Sequence, residues 1–327
     1  GPGDHGIALV AEQGWLNGLV YAPNGDADPN RPTADLTRAA DLVRVGLAGT
    51  LSDYTMTTFD GRTVALSAID YNGQPAGYAS QPSEVVNYVE NHDNQTLFDL
   101  NAYKLPGDTR REDRARVQLL GAAVTALSQG IAYFHAGIDT LRSKSMDRNS
   151  FDSGDWFNRL DWSYRDNHFG TGAPPRTDNG ADYDLIKPRL ADASIKPTAR
   201  EIAFMRDGFR DWLAIRASSP LFRLHSAQEI RQRLDFPSAG PAQNPVLVVG
   251  HLDGTGMADA EYREAIYLIN VGTSAQSATL PAQAGKAYVL HPVLRAGADE
   301  RARQARFDPS DGRFTVPART AVVFVVE

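Results

Sequence analysis

The sequence predicts an α/β chain in two parts. Residues 1–220 read as β/α units of a parallel sheet, and residues 221–327 as an antiparallel β-sandwich. Three observations lead there. In the first part, short apolar runs alternate with helix-period segments and polar loops. After Pro220 the texture changes to short β-rich runs separated by Gly, Pro and Asn. The chain has 327 residues and 42 % hydrophobic content, which suits one large or two medium cores.

Residues 1–32 are rich in Gly, Pro, Asn and Asp and read as loop. Residues 33–52 carry Leu36, Ala40, Val43 and Leu47 at helical spacing, with Thr33 as the expected N-cap. Residues 71–82 are dense in turn formers and read as irregular. The run "EVVNYV" then reads as a short buried strand. Residues 111–128 place Val117, Leu120, Val124 and Leu127 on one helical face, and Gly130 ends the segment. "IAYFHAG" (131–137) reads as a second short strand, followed by a long polar excursion over 138–197. A helix over 198–216 carries Ile202, Met205, Phe209 and Trp212 on one face. The order strand, polar loop, helix, strand, polar loop is that of a parallel sheet, whose functional groups sit on the loops after strand C-termini. Beyond residue 220 the strand candidates are "PVLVVGHL", "EAIYLINV", "SATLP", "KAYVLHPV", "RFTVP" and "TAVVFVVE". The mixed-charge stretch 295–307 reads as a solvated loop or face.

The net charge is −7 with both signs scattered, which argues against a nucleic-acid partner and gives no reason to expect an anionic substrate. No apolar run approaches the length of a membrane span. The start "GPGDHGIALV" has no signal-peptide pattern and lacks Met, which points to a processed or cut N-terminus. The absence of Cys excludes disulfides and thiolate metal sites. The six histidines other than His92 show no metal-ligand spacing and read as structural. There is no G-x-S-x-G elbow and no phosphate-binding glycine loop.

Two stretches carry candidate chemistry. "VVNYVENHDNQTLFDL" (85–100) delivers His92, Asp93 and Asn94 directly after an apolar strand. A lone His-Asp pair is more often a turn cap; its place at a strand end before a helix raises the functional reading. "LRSKSMDRNSFDSGDWFNRLDW" (141–162) sets Arg142, Lys144, Asp147, Asp155 and Asn158 among Phe151, Trp156, Phe157 and Trp162. Aromatic faces beside carboxylates and amides suit a sugar, whose C–H face packs on rings while its hydroxyls take polar partners. A solvated loop or a Ca²⁺ site fits the same composition equally well.

These residues resemble a known family. "IDYNGQPAGYASQPSEVVNYVENHDNQTLFD" (69–99) is similar to the segment around the seventh barrel strand of pullulanases and plant-type limit dextrinases, debranching members of the α-amylase superfamily. The stretch 141–162 resembles the loop after their eighth strand, and "LVRVGLAGTLSDYTM" (42–56) also matches. The resemblance covers nearly all of residues 9–236 and thins in the sandwich. It implies the C-terminal portion of a (β/α)₈ TIM barrel followed by the sandwich, and retaining hydrolysis of α-1,6 branch linkages in pullulan, starch or limit dextrins. Asp93 falls on the family's third catalytic carboxylate, and His92 on a sugar-binding His. Asn94, Arg142, Asp155, Trp156 and Asn158 fall on subsite loops. No cofactor is required, with room for a structural Ca²⁺. The implied ligand is an α-glucan, and a secreted or periplasmic location is favoured over a cytoplasmic one.

Retaining hydrolysis also needs a nucleophile and a general acid about 5–5.5 Å apart. The family carries them on earlier strands, and no G-F-R-F-D-like nucleophile strand occurs here. "VAEQGWLNG" (10–18) aligns either with the acid motif, making Glu12 the acid, or with a later loop, which the short distance to "RVGLAG" favours. The chain therefore reads as the later part of such an enzyme, inactive alone. Its open barrel edge would be covered by the N-terminal part of the same enzyme or by a second copy. The alternatives are a non-catalytic glucan-binding fragment and an inactive relative.

Overall fold

The computed structural model describes residues 5–327. The first four residues of the expected 1–32 loop lie outside the described residues. The rest of that stretch is turns with one helical turn, α1 (Ala8–Ala11).

Helix α2 (Thr33–Leu47) follows. Its cap is Pro32 rather than Thr33, because the proline ring already holds the extended conformation from which the helix departs. Leu36, Ala40 and Leu47 are buried as expected, but Arg44 and Val45 are buried where Val43 is only half-buried. Arg44 is accommodated because its Nη1 donates to Asp41 Oδ1 at 3.1 Å and to Gln243 Oε1 at 2.8 Å. A hairpin of β1 (Thr55–Thr57) and β2 (Thr63–Ala65) comes next. The stretch 71–82 is less irregular than expected, since it enters a second hairpin, β3 (Asp70–Tyr71) with β4 (Gln74–Pro75). Asn72 and Gly73 both take positive φ, 52° and 80°, as a two-residue Asn-Gly hairpin turn requires.

Strand β5 (Val86–Asn87) precedes α3 (Leu97–Lys104) and α4 (Arg111–Leu127). Strand β6 (Ile131–Ala132) then pairs in parallel with β5, Val86 opposite Ile131. Both expected strands are therefore present, as two-residue pieces, but β5 is not buried as expected: Val86 and its partner Ile131 are both exposed. The 138–197 excursion contains α5 (Asp155–Asn158), α6 (Arg176–Asn179) and α7 (Tyr183–Ala191). Helix α8 (Ala199–Ser218) buries Ile202, Met205 and Trp212, with Phe209 half-buried against Phe134. Helix α9 (Ala227–Arg233) starts with a capping box, Ser226 and Glu229 bonding reciprocally.

The remaining strands are all antiparallel. β7 (Leu234–Asp235), β8 (Leu247–Asp253), β9 (Glu264–Asn270), β11 (Val289–Leu290) and β14 (Thr320–Val326) form a sheet of order β11-β14-β9-β8-β7. β10 (Gln276–Thr279), β12 (Arg306–Asp308) and β13 (Arg313–Val316) form a second, of order β10-β13-β12. Phe314 of the smaller sheet meets Phe324 of the larger, ring centroids 5.3 Å apart. The inner strands β9 and β14 are buried along nearly their whole length, which is why they read as continuous apolar runs. Helix α10 (Pro292–Ala296) follows β11 in the chain. The stretch 295–307 is not simply solvated: Ala302 and Ala305 are buried, and Asp299 Oδ1 accepts the N–H groups of Arg301 and Ala302.

The chain forms two compact units. One comprises residues up to Arg31, 88–122 and 134–209; the other comprises 32–87, 123–133 and 210–327. All the expected site residues lie in the first.

Candidate active site

The segment after β5 is built to push side chains outward. Glu90 is buried, and its Oε2 accepts the N–H of Leu97, the first residue of α3, so one carboxylate closes the base of the intervening loop. Inside that loop Asn91 Oδ1 accepts the Asp93 N–H at 2.9 Å, a local Asx turn. Asn94 takes φ 56°, a left-handed conformation that asparagine tolerates. Thr96 caps the helix by accepting the Asp99 N–H at 3.2 Å.

The turn leaves the side chains of His92 and Asp93 77 % and 70 % exposed, with His92 Nε2 3.8 Å from Asp93 Oδ1. The role that the resemblance implies for Asp93 would call for a cation or dense hydrogen bonding around it. The structure instead leaves the carboxylate open to solvent beside His92, because the Asx turn uses its backbone N–H and not its oxygens. Asp93 and Asn94 line one cavity of about 390 Å³ together with Glu12, Glu90, Lys104 and Arg148. Glu12 Oε2 pairs with Arg31 at 2.7 Å, and Lys104 Nζ donates to the Glu12 carbonyl at 2.6 Å. Burial holds the Lys104 ammonium below its ordinary range. Next to Glu12, the buried Gln13 donates to the carbonyls of Asn17, Ala22 and Lys104 and accepts the Asn24 N–H, locking residues 13–24 into a hydrogen-bonded loop.

The second stretch is fastened to the first by Asp99. This fully buried carboxylate accepts from Ser143 Oγ at 2.5 Å and from the N–H groups of Lys144 and Met146 at 2.7 and 3.1 Å. Burial outweighs those bonds and pushes its carboxyl up to about 6. Lys144 Nζ, lowered by burial, lies 3.3 Å from the His92 carbonyl. The backbone turns sharply through Gly137, φ 98°, where a Cβ would overlap the side chains of Leu160 and Arg142.

Arg142 donates to the carbonyl of Ala136 at 3.1 Å and to that of Asn158 at 2.6 Å. The Asn158 amide donates to the carbonyls of Ser150 and Gly154 at 2.7 and 3.0 Å. Both side chains thus hold the loop frame, and burial holds the Arg142 guanidinium below its ordinary range. Asp155 opens α5 and is exposed. Trp156, 55 % exposed, carries the Arg159 guanidinium 4.3 Å over its ring, with Nε1 3.3 Å from the Thr171 carbonyl. Asp147 uses its oxygens on the Asn149 N–H, the Asn179 amide and the Ser153 hydroxyl. No group of three acidic or imidazole side chains able to hold a metal occurs among the described residues.

Asp93 and Asn94 therefore share the cavity, with His92 beside them, while Arg142 and Asn158 are joined to each other in the adjoining frame. Sequence reasoning missed Gln13, Glu90, Asp99 and His135. The one local signal was "TLFD", a capping-box spacing from Thr96 to Asp99, and it names the cap and not the anchoring role.

A family model described as "Alpha-1,6-glucosidases, pullulanase-type, C-terminal" matches residues 164–327. The chain is 41 % identical over 324 residues to chloroplastic pullulanase 1 of Arabidopsis thaliana, covering 96 % of this chain and 34 % of that protein. It is 36 % identical over 325 residues to the pullulanase of Klebsiella pneumoniae, covering 99 % and 30 %. Among solved structures, PulA from Klebsiella oxytoca superposes with a TM-score of 0.92 at 36 % identity, over 100 % of this chain and 31 % of that one. The maltotriose complex of PulA from Klebsiella pneumoniae gives 0.93 at 37 %, over 100 % and 35 %. The chain spans about a third of the length of the curated relatives it matches.

Proposed function

The chain belongs to the pullulanase-type alpha-1,6-glucosidases, and from that premise we propose that it supplies the later part of the active site of a retaining enzyme that hydrolyses α-1,6 branch linkages in pullulan, starch or limit dextrins. The observation that carries this reading is Asp93, a carboxylate held outward by an Asx turn at the mouth of a cavity it shares with Asn94. Its family role is the third carboxylate. It accepts hydrogen bonds from ring hydroxyls, and these tighten as positive charge develops at the anomeric carbon. His92 donates to a neighbouring hydroxyl. Trp156 offers an aromatic wall to the sugar's C–H face.

The nucleophile and general acid belong, in this proposal, to earlier barrel strands outside this chain. The locked loop around Gln13 and the pairing of Glu12 with Arg31 support the alignment that makes Glu12 a loop residue. The partial-barrel reading is supported by the β5–β6 pair. It is a two-stranded parallel sheet on which Val86 and Ile131 are 50 % and 48 % exposed. Parallel strands are normally covered on both faces and extended by neighbours. The rest of the barrel, or a second copy, is the covering partner.

A chimera tests the assignment. This chain would replace the matching third of the Klebsiella pneumoniae pullulanase, with pullulan hydrolysis read as new reducing ends. Asp93→Asn is expected to lower turnover by at least about 10²-fold while glucan binding persists. Near-normal turnover in that variant overturns the role. The chain alone should bind maltotriose without hydrolysing pullulan, and hydrolysis by the chain alone would return Glu12 to the role of acid.

A further inference from the structure

We propose that Glu90 and His135 form a buried positioning relay that fixes the His92–Asp93 loop against the frame held by Arg142 and Asn158. The relay deepens the glucan-hydrolase reading and rests on it only for what the loop binds.

Both side chains are buried, and they come from the two segments that follow β5 and β6. Glu90 has divided duties. Its Oε2 takes the N–H of Leu97 at the start of α3, where the helix dipole favours a negative charge. Its Oε1 faces the other way, 3.7 Å from His135 Nδ1. Both of those atoms are buried and have no hydrogen-bond partner. A buried carboxylate oxygen and a buried ring nitrogen are costly to leave unmatched, and at 3.7 Å these two stand beyond hydrogen-bond length but close enough to close on each other with a small shift.

The other ring nitrogen settles the tautomer. His135 Nε2 lies 3.2 Å from Arg142 Nη1. A guanidinium only donates, so Nε2 accepts and the ring proton sits on Nδ1, the nitrogen 3.7 Å from Glu90 Oε1. Arg142 continues the chain to the carbonyls of Ala136 and Asn158. The line Leu97–Glu90–His135–Arg142–Asn158 thus ties the base of the Asp93 loop to the loop that presents Trp156. The oxygens of Glu90 are directed at Leu97 and His135, so it acts through its neighbours as a positioning residue.

Glu90→Gln isolates the relay from the loop closure. Its carbonyl oxygen still accepts from Leu97, but its amide then faces the Nδ1 proton, donor against donor. The ring must move its proton to Nε2 and lose Arg142. Imidazole ¹⁵N spectra of the chain should show His135 protonated at Nδ1, with the signature altered in Glu90→Gln. A native ring protonated at Nε2 overturns the relay. Amide exchange across residues 91–96 should accelerate about tenfold in Glu90→Gln and in His135→Gln, with the double variant no faster than either single one. Multiplying effects overturn it. Maltotriose affinity, by calorimetry, should fall about tenfold. A lower melting temperature with native affinity means a merely structural pair and also overturns it. If the native chain binds no maltotriose, the glucan reading fails, and the spectra and exchange decide the relay alone.

Discussion

Replacing Asp99 by Asn removes a charge from the junction between the two site segments and asks what burial does there. The carboxylate is fully buried and takes three hydrogen bonds, from Ser143 and from the backbone of Lys144 and Met146. Those bonds favour the ionised form, but burial weighs more and pushes the group from its ordinary 3.8 up to about 6. Between those values the folded protein holds a proton that the unfolded chain has released. The group's stability contribution is therefore fullest below about pH 4 and is lost as pH rises through about 6, by roughly 3 kcal/mol in all. In Asp99→Asn the amide oxygen can accept from Lys144 and Met146, while the amide nitrogen donates to Ser143 Oγ, and nothing titrates. Urea unfolding of both proteins from about pH 4 to about pH 7 measures the difference directly. The native chain should lose roughly 2–2.5 kcal/mol relative to the variant over that window. A difference that stays level, or that moves in favour of the native chain as pH rises, refutes the reasoning.

Two further outcomes follow from the larger sheet. Gly250 on β8 faces Tyr267 on β9, whose buried ring occupies the space a Cβ would need, so Gly250→Ala should cost about 1–3 kcal/mol in chemical unfolding; an unchanged midpoint would mean that the ring is free to move. Burial pulls the His251 imidazole down, but its bonds to Asp235 at 2.7 Å and Glu264 at 2.9 Å prevail and leave it raised. Its contribution is then present below its ordinary 6.5 and lost as pH rises through the higher folded value, so His251→Gln should destabilise most in mild acid and least in mild base, as unfolding at several pH values would reveal.

The elements legible in the sequence are those whose signal is local. α4 was legible from four apolar residues on one face, and β9 and β14 from unbroken apolar runs between turn residues. The signal failed where a polar residue is buried. Arg44 lies on the inward face of α2 because Asp41 and Gln243 receive it, and Gln243 is 199 residues away. The β3–β4 hairpin was missed for a different reason: the Asn-Gly signature was present, but the strands beside it are two residues long and carry no alternation.

The candidate site divides along the same line. His92 and Asp93 could be found because they are exposed polar groups directly after an apolar strand, a pattern visible within ten residues. Asp99 could not be, because its partners lie 44, 45 and 47 residues onward, and inside α3 it reads as one more capping acid. Glu90 was hidden in plain view, three residues before Asp93 and indistinguishable from it by composition. Burial alone separates the two: one carboxylate turned inward to hold a helix start, the other turned outward beside His92 by the loop that the first one closes. In this arrangement the Asp93 carboxylate stays open to solvent because its loop is ordered through the backbone, by Asn91 and Glu90.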